Sequence, residues 1–374
     1  AHVPDTMRHH PAVRLHYTSW WHLVEGSAQP YQLLRQPRPA QPTAAAVLHG
    51  AELAARRLRN TQRADGSYSY IYRAYKDVFE DQHFNMTRMA GTTYGMCRLI
   101  GYLQTQDQPA TAYLHSAEQA LGFLAELRRE QRGTGLSYIA EGALRSKARK
   151  GKLGAIALTA LALQSDAFYQ RHAELRTALL GSIRQLQQPD GSFQCYVHEY
   201  DNPNSQNFFP GEALLVLAHE YARSGDAGLR QDLERAFPYY RAHFRAEPAT
   251  AFVLWQTDAW TQFFLALERH AAPAAGSSAY AEFVFEQIDW LLPLQYQPHN
   301  APLPEYVGGF RYPGRPGCST GTYAEAIIRA WSLARHVGDT ERAARYYAAA
   351  VAGLQFLLLT SRPSGISPIP VVFI

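Results

Sequence analysis

Two heptapeptides share one pattern: QRADGSY begins at Gln62 and QQPDGSF at Gln187. In each, the aspartate can close an Asx turn and the glycine can take positive φ, so the segment reads as a tight joint between two regular elements. From Gln62 to Asn85, from Gln187 to Pro210 and from Gln295 to Cys318 the spacing is the same, 23 residues, and each endpoint opens an apolar helical run. Three connections of equal span define an internal repeat of helical hairpins.

The runs between the joints are of two kinds. TAAAVLHGAELAARRLRN, ATAYLHSAEQALGFLAELRRE, ELRTALLGSIRQLQQ, LRQDLERAFPYYRAHF, YAEFVFEQIDWLLPLQ and TERAARYYAAAVAGLQFLLL carry one apolar face. Alternating with them, NMTRMAGTTYGMCRLIGYL, KLGAIALTALALQ, PGEALLVLAHEYARSG, WQTDAWTQFFLALERH and CSTGTYAEAIIRAWSLARHVG are apolar nearly all round, as buried helices are. The alternation predicts an all-α (α/α) toroid of five to six hairpins, an outer ring enclosing an inner one. Long loops fall on one face and short turns, such as RSGDAG and HVGDTE, on the other. Residues 1–41 read as a short irregular or β arm packing on the toroid, and residues 42–374 as the toroid itself. The three prolines of SRPSGISPIPVVFI keep the tail extended.

Composition narrows the function. Net charge is +4 without a block of like charges, so no nucleic-acid partner is expected. No apolar run is long enough for a transmembrane segment. The three cysteines, Cys97, Cys195 and Cys318, are too scattered for a disulfide framework or a spaced zinc site. Neither a metal nor an organic cofactor is called for, and oligomeric state is left open. The start AHVPDT, without an initiator methionine, fits a mature form after signal-peptide removal or a trimmed chain. A periplasmic or secreted location is the first expectation and a cytoplasmic one the alternative. The 23 tyrosines are the compositional outlier, and aromatic faces stack on sugar rings as well as in cores.

Over roughly residues 42–361, the joints and the apolar runs KLGAIALTALAL and PGEALLVLAHEYARSGD resemble the six-hairpin toroid superfamily of carbohydrate-active enzymes. The joint also resembles the Q-x-x-D-G-x-aromatic repeats of terpenoid cyclases and protein prenyltransferase β subunits. DVFED is not the aspartate-rich acid of triterpene cyclases, and Cys318 lacks the neighbours of a prenyltransferase zinc site. The resemblance therefore implies a sugar substrate.

Candidate chemistry gathers where long loops meet inner helices. Catalytic candidates are Glu212 in a first helical turn, with Asp81, Asp201 and Asp258 placed at other helix mouths. Substrate-binding candidates are His83, Asn85, Arg88 and Tyr94 from the first loop and helix, and Tyr200 and Asn207 from the second. Trp255 and Gln256 are taken from LWQTDAW, and Arg311 and Tyr323 from the last loop and helix. Several have ordinary explanations. Asn85 is a natural N-cap, a first-turn Glu212 suits the helix dipole, and Arg88 can pair with Glu80 or Asp81. Asp65 and Asp190 are assigned to turns. The glutamines Gln62 and Gln187 are expected to cap the ends of neighbouring helices.

Two carboxyl groups on a sugar-sized cleft point to glycoside hydrolysis of an oligo- or polysaccharide. The alternatives are a polysaccharide lyase or uronate epimerase of the same fold, in which Asn85, Arg88, His83 and Tyr94 or Tyr200 neutralise a carboxylate and move a proton. A noncatalytic polysaccharide-binding protein and a terpenoid cyclase-like enzyme complete the set. The substrate on either enzymatic reading is an oligo- or polysaccharide, with uronate-containing polymers included.

Overall fold

The computed structural model describes residues 21–22, 31–32, 42–73, 76, 78–80, 84–141, 150–198, 200, 202–270, 278–311 and 315–360. Among them are eleven α-helices: α1 (Ala44–Asn60), α2 (Met86–Thr105), α3 (Thr111–Glu126), α4 (Leu153–Leu163), α5 (Ala173–Leu186), α6 (Phe209–Ser224), α7 (Ala227–Ala246), α8 (Thr250–His270), α9 (Ser278–Leu291), α10 (Ser319–His336) and α11 (Thr340–Thr360). Even-numbered helices form the inner ring and odd-numbered ones the outer ring, as the alternation of patterns requires. Every residue of α4 is buried, whereas α1 buries only Ala55 fully. Alanines at the α4 contact faces let α2 and α6 pack close on either side.

The inner ring is built by side-by-side packing of α2 on α4, α4 on α6, α6 on α8 and α8 on α10. Contacts between α10 and α2 are sparse, and an ion pair between Arg98 and Glu325 spans that seam. On the outside, α11 meets α1. This is an (α/α) toroid.

Short antiparallel strands decorate the connections. β1 (Trp21–His22) pairs with β2 (Tyr31–Gln32), and β3 (Ile71–Arg73) with β4 (Val78–Glu80). β5 (Arg128–Glu130), β6 (Ser137–Glu141) and β7 (Lys150–Gly151) form a three-stranded sheet in that order. The loop before α4 is stitched to the loop before α6. Val197 N donates to Gly151 O at 3.0 Å and Leu153 N to Cys195 O at 2.9 Å.

The joints share one construction. Gln62 Nε2 donates to Gly66 O and to Ser116 O, both at 2.9 Å. Gln187 Nε2 reaches Gly191 O and Asp232 O, and Gln295 Nε2 reaches Gly308 O and Ala349 O. The acceptors Ser116, Asp232 and Ala349 lie within α3, α7 and α11, so the glutamines hold mid-helix carbonyls rather than cap helix ends as expected. The joint glycines sit at φ 86°, 89° and 89°. A Cβ on Gly66, Gly191 or Gly308 would stand 2.3, 2.2 or 2.1 Å from the carbonyl oxygen of Gln119, Arg235 or Ala352. Only glycine allows that approach in that backbone conformation. The third joint keeps the contacts although its glycine lies farther along the chain. Asp65 and Asp190 accept from the backbone N–H of Ser67 and Ser192, as Asx turns do.

Candidate active site

Because hairpins alternate in direction, the inner helices all begin at the end that carries the long connections. Asn85 Oδ1 accepts from Arg88 N at 3.1 Å and so caps α2. The Arg88 guanidinium lies 5.7 Å from the centre of the Tyr70 ring, while Glu80 pairs with Arg73. In the second loop the Tyr196 hydroxyl is hydrogen-bonded to Ser205 Oγ at 2.8 Å, and its ring meets Tyr200 edge-on at 4.6 Å and Phe209 at 6.0 Å. Tyr200 is exposed. Asn207 Oδ1 lies 3.0 Å from His243 Nε2 on α7 and ties the loop to the outer ring. Arg311 Nη2 donates to Pro293 O, with its guanidinium 5.8 Å from the Tyr296 ring centre. Tyr323 is buried, edge-on to Phe310 at 5.1 Å. Asp81, Asp201 and His83 lie outside the described residues.

Glu212 stands in the first turn of α6 and is only 4% exposed. Its Oε2 has no hydrogen-bond partner among the described residues. The carboxyl lies against α4, where Gly154 makes room: a Cβ there would be 2.6 Å from Glu212 Oε2 and 2.4 Å from Phe209 Cδ1. Burial pushes its pKa up from 4.5 to about 8. At neutral pH the group is therefore an un-ionised acid holding a proton, the state a general acid requires.

A second cluster lies deeper. The connection before α8 is only residues 247–249, and the helix starts at Thr250. Trp255 is thus one and a half turns inside, not at a helix mouth, and Asp258 is more than two turns in. The Trp255 Cβ packs where a side chain on Gly211 would project, and its ring lies 6.5 Å from that of Tyr94 on α2. Gln256 is buried, and its Oε1 accepts from Trp260 Nε1 at 2.8 Å. Asp258 Oδ1 is 3.0 Å from Arg329 Nε on α10, a charge contact without hydrogen-bond alignment. One turn away on α10, Glu325 pairs with Arg98 of α2.

Burial pushes the Tyr94 hydroxyl well above its ordinary pKa, with Asp258 adding, Arg98 opposing, Glu325 adding and Arg329 opposing. Tyr94 thus lies within electrostatic reach of all four charged groups. His219 of α6 has its pKa lowered to about 4, first by burial and then by Arg329, Arg223 and Arg98, with Glu220 opposing. Its imidazole is neutral at physiological pH. Of this interior set, Tyr94 and Asp258 were among the candidates read from sequence. Arg98, His219 and Arg329 were not, and Glu325 was not counted as a site residue. The visible signal was a charged or imidazole side chain in the middle of a run otherwise apolar all round.

No protein-family model matches the chain, and no curated protein matches it in sequence. Solved structures match it in fold. A GH76 α-mannanase of Bacteroides thetaiotaomicron superposes with a TM-score of 0.59 at 9% identity, covering 87% of this chain and 88% of the other. A sugar epimerase from a ruminal bacterium superposes with a TM-score of 0.58 at 12% identity, covering 87% and 90%. A protein of Listeria innocua superposes with a TM-score of 0.50 at 14% identity, covering 85% and 87%. What the chain shares with these proteins is the (α/α) toroid fold.

Proposed function

We propose that the chain is a glycoside hydrolase acting on an oligo- or polysaccharide, with Glu212 as general acid. The observation that carries this reading is the buried carboxyl, its pKa pushed up to about 8 by burial, at the start of an inner helix of a toroid whose structural neighbours include an α-mannanase. Such a group donates its proton to the departing glycosidic oxygen, while a second carboxylate activates water or attacks the anomeric carbon. Asp81 and Asp201 are the carboxylates for that second role, since Asp258 is only 2% exposed and held against Arg329. Tyr200, at the loop-bearing end, supplies an exposed ring for a sugar face.

The test follows new reducing ends on neutral, amino-sugar and uronate polysaccharides, with wild type and Glu212→Gln. Hydrolysis that falls at least a hundredfold in the variant, and in wild type fades as pH rises past about 8, supports the assignment. Undiminished hydrolysis by Glu212→Gln removes Glu212 from the acid role.

A second reading, sugar epimerisation, is favoured by His219, a neutral imidazole within electrostatic reach of three guanidinium groups, and by the epimerase neighbour. Deuterium incorporation from D2O into a sugar C–H, without new reducing ends, would replace hydrolysis by that reading.

A further inference from the structure

The interior charges of α2, α8 and α10 form two pairs, Arg98 with Glu325 and Arg329 with Asp258. Side-chain exposure separates their roles. Asp258 is 2% exposed and in contact with Arg329, whereas the side chains of Arg98, Glu325 and Arg329 are 40%, 32% and 30% exposed. Among the described residues, Arg98 meets its carboxylate through Nη1 and Arg329 through Nε, which leaves the other N–H groups of both forks without a protein acceptor. Asp258 Oδ1 has no hydrogen-bond donor among the described residues. The group therefore holds unspent donors and acceptors around Tyr94, whose ring lies 6.5 Å from the half-buried Trp255 ring.

Its formal charge is zero: two guanidinium groups balance two carboxylates. A carboxylate ligand would gain one arginine only by approaching a carboxylate already paired with it. A polyhydroxylated neutral ring suits the arrangement better, because its hydroxyls donate to Glu325 and accept from the arginines while a C–H face lies on Trp255.

We propose that Arg98, Glu325 and Arg329, with Trp255 as platform, form an interior subsite selective for a neutral hexose unit over a uronate. Asp258 is a positioning residue that orients Arg329. This rests on the hydrolase reading for its substrate class but concerns binding alone, and so is tested apart from turnover.

Titration calorimetry on the whole chain, in wild type and with Glu212→Gln to prevent consumption of ligand, would use mannotetraose, cellotetraose and maltotetraose as neutral probes and tetragalacturonate as the charged one. The expected result is that a neutral tetrasaccharide binds at least about tenfold tighter than tetragalacturonate, and that Trp255→Ala weakens it by about tenfold or more. Glu325→Gln leaves one unbalanced positive charge and should move the ratio about tenfold toward the uronate. The double variant Arg98→Gln/Glu325→Gln restores neutrality and should restore preference for the neutral probe, which separates a charge effect from a loss of fold. Equal or tighter binding of tetragalacturonate to wild type, or a ratio unmoved by Glu325→Gln, would overturn the subsite. Binding without hydrolysis would overturn only the general-acid reading, and no binding by any probe would overturn both.

Discussion

Replacing Glu212 by glutamine isolates the thermodynamic consequence of burying a carboxyl. Its pKa is 4.5 in the ordinary case and about 8 in the folded chain. Between these values the unfolded chain has released the proton and the folded chain still holds it, so stability falls as pH rises through the window and levels off above about 8. At about 1.4 kcal/mol per pH unit the whole effect is about 5 kcal/mol, of which about 4 kcal/mol falls between pH 5 and pH 9. Glutamine cannot ionise, so the stability difference between wild type and Glu212→Gln should change by that amount across the range, in favour of the variant at high pH. For a chain of 374 residues this corresponds to a relative shift in Tm of about 5 °C. Urea unfolding of both proteins at pH 5, 6, 7, 8 and 9 measures it, because every other titrating group cancels in the difference. A difference that stays within about 1 kcal/mol across this range would mean that Glu212 ionises near its ordinary pKa. The protonated acid would then be lost with it.

His219 should act in the opposite direction. Its pKa is lowered from 6.5 to about 4, so wild type loses about 3 kcal/mol as pH falls through that window, and His219→Asn should flatten the acid limb of the same unfolding series. Gly191→Ala should cost at least about 3 kcal/mol in urea unfolding, because its Cβ meets the Arg235 carbonyl, whereas Gly338→Ala, at φ 79° with open space around it, should cost about 1 kcal/mol. Equal costs would rule out the close approach as the reason for the joint glycine. Gln187→Ala should lose about 1–3 kcal/mol by leaving the Asp232 and Gly191 carbonyls without their amide donor. Gly154→Ala should lower hydrolysis at least about tenfold while the chain stays folded, since its Cβ would displace Phe209 and the Glu212 carboxyl. Unchanged turnover would place that carboxyl outside the reaction.

The architecture was legible in the sequence because its determinants are local. Asx turns, positive-φ glycines and the width of an apolar helical face each depend on a few neighbouring residues, and the chain repeats them. Glu212 was legible for the same reason, since its place in a first turn follows from Pro210 beside it. The interior pairs depend instead on the register of α2, α8 and α10, whose facing residues Arg98 and Glu325 are 227 positions apart. Asp258 was misplaced at a mouth because LWQTDAW was read as the start of its helix. The first turn is the apolar stretch from Thr250, after a connection far shorter than the repeat led one to expect. Local patterns set the elements, and their mutual depth comes only from packing.

The staple in each joint gives the ring a direction of assembly. Gln62, Gln187 and Gln295 find their second carbonyls 54, 45 and 54 residues later, always in the next outer helix. A hairpin emerging from the ribosome therefore cannot finish its own joint until part of its successor has been made. At these three joints, each repeat is completed by the one behind it. Removing α11 would unfasten the joint before α10, whereas removing α1 would take away a joint but leave every later staple with its partner.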